Sequence, residues 1–531
     1  MSRNTNKNII LLQKQIQHKI GVPVSVDTVV AIIESFGIRD KDVQSDYGTE
    51  NIRHLAKKLF AKLTSNSEKE VKNAKEIEFI SNQKEERTDF IYEAYQFFKH
   101  YVLGTSHLLA IAIQLVTIVL FGFALYVFTG FNQVQSTAVV LGVILGMILS
   151  GGFIKVIGKE ISTYYYSEDL AMVKQITFYL LKKGILCIAL GILFLLTVNF
   201  LFSIFPNSMM LVTSIYAFLI GVLFLVFAPL HVLKARILIL ISTGIATFFG
   251  ILLFTYTSIN IYGVHFLGLS LAIVITVVFL LFYFKRLDIK YEKKDYKLSA
   301  LLYNNYNYFL YGLIINIYFF IDRILAWSSY KVSNFFFPIY YEKDYEIGMD
   351  IAIIFFLLLA GSLEYSSVSF VKLLNKEQHT TSLINSSNYS EKLFDLYLKN
   401  TSLLFITAAP IFVIVQYFIY GEYGYNHFFT IPLNPLNTQV AQAGIIGYFF
   451  MCWGMLNASY LITLKQQKKV LQLLIIATIV NIIIGFILSK LIAYDYSVYG
   501  MLIGSVVFTA LSLKENIKVF KNVDYYYYAS C

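Results

Sequence analysis

Three observations predict an all-α, polytopic membrane protein. Of its 531 residues 57% are hydrophobic and only 14% charged, more apolar surface than a soluble core could hide. The apolar residues fall into runs long enough to cross a hydrocarbon layer about 30 Å thick as helices. Lys and Arg of the short connecting loops fall almost wholly on one side of those runs, as the positive-inside rule requires.

The first hundred residues stand apart. They hold 16 Lys/Arg against 14 Asp/Glu, and so near a balance argues against a nucleic-acid-binding arm. Their start has no signal-peptide pattern, so no cleaved export signal is expected. "SVDTVVAIIESFG" offers Ser25 or Asp27 as N-cap, Val29, Ile32, Ile33 and Phe36 on one face, and Gly37 as C-cap. "TENIRHLAKKLFAKL" opens at Thr49 and stripes Ile52, Leu55, Leu59, Phe60 and Leu63 at helical spacing. The plainer reading of residues 1–90 is a helical cytosolic domain packed on itself; the alternative is a docking module for a cytosolic enzyme.

Apolar runs of spanning length follow near 107–129, 134–157, 184–205, 208–231, 236–258 and 264–285, then 306–327, 348–370, 400–421, 440–463, 469–494 and 496–514. They give twelve helices in two bundles, 91–300 and 301–531. With the polar domain in the cytosol, inner loops receive Lys159, Lys174, Lys182, Lys183, Lys234, Arg236, Lys372, Lys392, Lys465 and others, and outer loops only Lys331 and Lys343. Both termini are therefore expected in the cytosol, in an inner membrane.

The halves echo each other. Tyr-Ser-Glu-x-Leu recurs at Tyr166 and Tyr389, in the inner loops after the second and the eighth helix, with Ser167 or Ser390 placed to cap a short amphipathic helix. "YEAYQFFKHYVLG" and "YNNYNYFLYG" lead aromatic residues into each half. Parallel six-helix repeats around a central cavity are a common plan for transporters.

No His-Glu metal motif, Walker loop or nucleophile elbow appears, and Cys187 and Cys452 lie inside apolar segments. An enzyme, a resident metal or a cofactor is not indicated, and a channel would show a repeated filter loop that this chain lacks. Transport is the class best supported.

Within the apolar helices the acidic residues concentrate in the second half. Asp322 and Arg323 lie about 8 Å to the outer side of their helix midpoint, and Glu364 about 7 Å inward of its own. Charge at depth costs at least about 2.5–3.5 kcal/mol, so it normally faces a bundle interior or a water-filled cavity. Neighbours on a helix diverge by about 100°, so Asp322 and Arg323 each need a separate partner. Arg323 is expected to snorkel to the outer interface beside Trp327 and Tyr330, and Asp322 to line a cavity or pair with a neighbouring helix. Asp350 and Glu364, fourteen residues apart, lie on similar faces of one helix, about 40° apart. Glu364, among Ser362, Tyr365, Ser366 and Ser369, is the leading transport-path candidate.

The twelve-helix plan, "YYYSEDLAMVKQI", "YFFIDRILAW" and "YEKDYEIGMDIAIIFFLLLAGSLEYSSVSF" together resemble polysaccharide-exporting members of the multidrug/oligosaccharidyl-lipid/polysaccharide (MOP) flippase superfamily. Within it they are most similar to the membrane exporter subunits of Pel-type exopolysaccharide machinery. The resemblance covers about residues 90–515; the polar segment before residue 90 departs from the family's compact pattern. It implies a MATE-like fold and a glycan cargo, in part a cationic amino-sugar polymer. It also implies membrane lipids, a cytosolic glycosyltransferase and other export-complex subunits as partners. A lipid-linked oligosaccharide flippase, or a small-molecule or cation antiporter of the same superfamily, are the alternatives.

Overall fold

The computed structural model describes residues 8–9, 11–16, 23, 25–63, 90–105, 108–167, 169–286, 298–329, 337–380, 386–429 and 432–528. The expected inner-loop residues Lys290, Lys293, Lys294 and Lys297, and the outer Lys331 and Tyr330, lie outside these.

The polar domain is a small cluster of helices: α1 (Val26–Ser35), α2 (Asp40–Tyr47) and α3 (52–63). Ser25 caps α1, its Oγ accepting from Thr28 N–H at 3.1 Å, and Gly37 follows the helix at φ +80°, a conformation glycine adopts without strain. Val29, Ile32 and Ile33 are buried against Leu55, Leu59 and Leu63, whereas Phe36, at the cap rather than in the helix, is exposed. The cap of α3 is Asn51, which accepts from His54 N–H at 2.8 Å; Thr49 lies two residues before it.

The first apolar run does not form one spanning helix. α4 (Phe90–Thr105) leads to α5 (Leu108–Phe121), and the chain then turns at Gly122, φ +64°, into a two-stranded antiparallel hairpin, β1 (Phe123–Ala124) and β2 (Val127–Phe128). Unpaired backbone inside a bundle is costly, and Gln114 of α5 supplies the missing partner: its Oε1 accepts from Leu125 N–H at 2.7 Å while its Nε2 donates to Thr247 at 2.7 Å. The expected helix at 107–129 is thus corrected to a 14-residue helix plus hairpin.

The rest of the first bundle comprises α6 (Gln133–Tyr166), α7 (Leu170–Phe202), α8 (Asn207–Val232), α9 (Ile237–Tyr256) and α10 (Ile261–Arg286). The second follows from α11 (Leu298–Asn304): α12 (Tyr306–Trp327), α13 (Lys343–Thr380), α14 (Ser386–Tyr420), the short α15 (Tyr425–Phe428), α16 (Pro435–Thr463), α17 (Gln467–Leu491), a 3-10 turn (Tyr494–Ser497), α18 (Val498–Phe520) and α19 (Val523–Tyr528). Among the described residues eleven helices are long and apolar enough to span a membrane.

The repeated Tyr-Ser-Glu motif does not open separate short helices. Ser167 ends α6, and α7 is capped by Asp169, whose Oδ1 accepts from Met172 N–H at 3.0 Å. Ser390 lies inside α14. The first motif thus spans the junction of α6 and α7 and the second lies in the opening turns of α14, and α7 and α14, of 33 and 35 residues, run on into the apolar part.

The two bundles have separate buried cores. They meet chiefly along α6 and α12, where the backbones come so close that a Cβ on Gly312 would stand 2.2 Å from Gly151 O. Asn316 fastens this crossing, donating to Met147 O at 3.0 Å. α4, although it leads into the first bundle, packs on α13 of the second, where Tyr101 Oη donates to Leu358 O at 2.8 Å, and Lys399 of α14 pairs with its Glu93 at 2.7 Å. α1 of the polar domain rests on α19, so both termini share one end of the molecule, here called the terminal end.

Candidate functional site

Antiparallel α12 and α13 bring charged residues together at the end opposite the termini. Arg323 and Trp327 are one turn apart on α12, and Glu346 and Asp350 one turn apart on α13, so the two i, i+4 pairs face each other. Arg323 pairs with Glu346 through Nη1 and with Asp350 Oδ1 at 3.4 Å. Trp327 Nε1 donates to the other Glu346 oxygen at 2.9 Å. The expected snorkelling of Arg323 is therefore corrected: Arg323 and Trp327 are both buried, at 6% and 1% exposure, because two carboxylates inside the bundle offer the guanidinium more than the interface does.

Asp322 diverges from Arg323, as their adjacent positions require, and is fully buried against Tyr345, whose Oη donates to Oδ2 at 2.7 Å. Its Oδ1 has no hydrogen-bond partner among the described residues. Arg323 thus answers two carboxylates, Glu346 and Asp350, and Asp322 is a third acid beside them without a cation of its own among the described residues. Glu346 is buried, but the Asp350 side chain stays 66% accessible, so the cluster is open to water on that side. Among the described residues no three His, Cys, Asp or Glu come together as a metal-binding set.

Glu364 lies elsewhere, fourteen residues and about 21 Å along α13 from Asp350, and the structure does not bring the two together. It accepts from Arg236 Nη2 at 2.8 Å, and Arg236 Nη1 also donates to Leu103 O at 3.3 Å. Arg236 stands at the start of α9 in the first bundle, so this ion pair ties the two bundles and α4 together at the terminal end. Gly104 makes the approach possible, since a Cβ there would fall 2.7 Å from the Glu364 Cβ. The nearby serines do not bond Glu364: Ser362 and Ser366 donate back to Leu359 O and Ser362 O, and Ser369 Oγ takes a bond from Asn400.

At the far end the bundles touch again. Gln133 Nε2 donates to Tyr341 O at 3.0 Å and to Glu342 Oε1 at 3.4 Å, and Thr137 Oγ1 accepts from Tyr341 N–H at 2.9 Å. Glu342 is enclosed there, and burial, with the charge of Asp344 adding, pushes its carboxyl up to about 7.

Sequence reading missed Glu346, Tyr345 and Arg236. The first was legible as an acid pair at i, i+4 with Asp350; Arg236 looked like one more inner-loop cation, and no local signal marks its reach to another bundle.

No family model matches the sequence, and no curated protein does. Solved structures do. An outward-facing multidrug resistance MATE family transporter of the MOP superfamily aligns over 81% of this chain and 96% of its own, at 11% identity and TM-score 0.56. An inward-facing one aligns over 80% and 94%, at 15% identity and TM-score 0.51. A MOP superfamily transporter from Pyrococcus furiosus, in which a reversed polarity of the binding pocket suggests a different function, aligns over 81% and 96%, at 12% identity and TM-score 0.56. The chain has the fold of these transporters: all-α, many-spanning, in two bundles.

Proposed function

We propose that this protein is a transporter of the cytoplasmic membrane that moves a polysaccharide by alternating access, the two bundles rocking about the α6–α12 crossing. The observation that carries the reading is the way the bundles are joined. Away from that crossing they are held at the terminal end by Arg236 with Glu364 and Asn305 with Glu160, and at the far end by Gln133, Thr137, Tyr341 and Glu342 and one ring contact, Phe205 with Phe337, mostly polar contacts that water can replace. The fold is one in which outward-facing and inward-facing forms are both known. Such contacts suit gates that form in one state and part in the other.

The Pel-like stretches on α12 and α13 support a glycan cargo. In this reading the termini are cytosolic, the polar domain receives a glycosyltransferase, and the chain itself is no enzyme. A second reading, cation-coupled export of a small molecule, is favoured by the unpartnered Asp322 Oδ1 and the acid excess around it.

Deleting the gene and restoring it with wild type or Glu364→Gln, while measuring secreted glycan and membrane abundance, tests the proposal. Loss of secreted glycan on deletion, restored by wild type, is expected. Unchanged glycan together with new sensitivity to small cations would replace it by the second reading.

A further inference from the structure

α6 turns one stripe toward the second bundle: Val140, Ile144 and Ile148 pack into that bundle's core, and Gly151 crosses α12 at Gly312. One turn further the stripe reaches Lys155, which is exposed. A residue on this stripe that remains exposed opens into the gap between the bundles. The lysine stem runs over Gly312, where a Cβ would come within 2.7 Å of its Cγ, and its Nζ stands 5.6 Å from the centre of the Tyr311 ring. A lysine that only anchored the helix would lay its stem along lipid; this one crosses a neighbouring backbone that glycine keeps low enough to admit it.

Its charge is unanswered. Lys159, one turn on, is paired with Glu160 at 2.6 Å, whereas no carboxylate among the described residues pairs with Lys155; only the ring of Tyr311 faces its ammonium. Of the acidic residues between the bundles, Glu346 and Asp350 sit at the opposite end, and at this end Glu364 is taken by Arg236 and Glu160 by Lys159 and Asn305. Lys155 also lies 22 residues from the start of α6, which at 1.5 Å per residue is about 33 Å, the depth at which a hydrocarbon layer of about 30 Å gives way to headgroups.

We infer that Lys155, above Tyr311, binds an anionic phosphate group carried by the cargo as it enters between the bundles. This rests on the transport reading and narrows it to a phosphate-bearing glycan, whether the phosphate belongs to a lipid carrier or to the soluble glycan itself. The ammonium supplies charge-assisted hydrogen bonds, and the tyrosine ring stabilises the cation until the anion arrives.

The test uses the purified full chain with farnesyl phosphate, farnesol and inorganic phosphate as probes, reading dissociation constants for wild type, Lys155→Gln and Lys155→Arg. Farnesyl phosphate is expected to bind wild type about tenfold more tightly than Lys155→Gln, the low end for a hydrogen bond to a charged group, with Lys155→Arg close to wild type. Farnesol should bind more weakly and indifferently to the substitution. Competition by inorganic phosphate identifies a soluble source; its failure to compete identifies a lipid-borne one. Equal binding of farnesyl phosphate by wild type and a Lys155→Gln protein of unchanged melting temperature overturns the inference. That result would leave the transport reading standing, since secreted glycan decides it separately.

Discussion

Replacing Glu364 with glutamine keeps its size and one acceptor oxygen but removes the charge from the tie to Arg236. Both side chains are partly enclosed, at 22% and 33% exposure. The pair is therefore worth more than a free surface pair, which contributes up to about 1 kcal/mol, and less than a buried one. Taking about 1–2 kcal/mol for the lost charge, the state closed at the terminal end should lose about 5–30-fold in population relative to the open one. A cysteine at Gly158, on the same face of α6 with nothing within 4 Å of a Cβ there, reports that opening. Its labelling by a polar thiol reagent from the terminal end should speed up by about that factor in Glu364→Gln. The charge-reversed pair Arg236→Glu with Glu364→Arg should bring the rate back. An unchanged rate in Glu364→Gln, or no recovery in the reversed pair, would refute the role of this contact as a gate.

Arg323→Met would leave Glu346 and Asp350 without their cation, at a cost of about 3–5 kcal/mol; thermal melting of the purified protein should show it, and adding Glu346→Gln should return part of the loss. Glu342 titrates above its ordinary range, so the contribution of its neutral form to stability is full below about pH 4.5 and lost as pH rises through about 7. Relative to Glu342→Gln, the melting temperature of wild type should therefore fall across that interval, and parallel curves would exclude the effect. Cysteines at Asn207, Asn260 and Asn426 should react with an impermeant reagent from outside the cell and those at Ser167 and Ser390 should not; outside labelling at Ser390 would break the assigned topology.

The long helices were legible because membrane spans announce themselves by apolar length alone. The break in the first run was not: residues 107–129 stay apolar through the hairpin, and only Gln114, a lone amide reaching across to Leu125 and Thr247, hints that some backbone there needs a partner. Asp322 and Arg323, adjacent on one helix, must diverge, and they do, toward Tyr345 and Glu346. Where Arg323 goes depended on Glu346, which reads in sequence as a residue near a helix start rather than a buried anion. Glu364 was singled out by its depth, but its partner comes from another bundle 128 residues away, a distance at which no periodicity carries information.

The seating of α4 on α13 bears on how the chain is made. Tyr101 and the carbonyl of Leu358 that receives it are separated by 257 residues. At about 5–20 residues per second of synthesis, roughly 13–50 s pass between the emergence of the two. Through that interval a helix exposing Tyr92, Tyr95, Phe98 and Val102 on one side also lacks the surface that covers its other. The ribosome thus finishes the first bundle and begins the second before the segment that precedes them can dock, and the nascent protein must shelter that segment at the membrane surface or with a chaperone. A first half produced alone would carry the same unsatisfied helix permanently. Coexpressed halves should therefore be recovered together, and the first half by itself should aggregate.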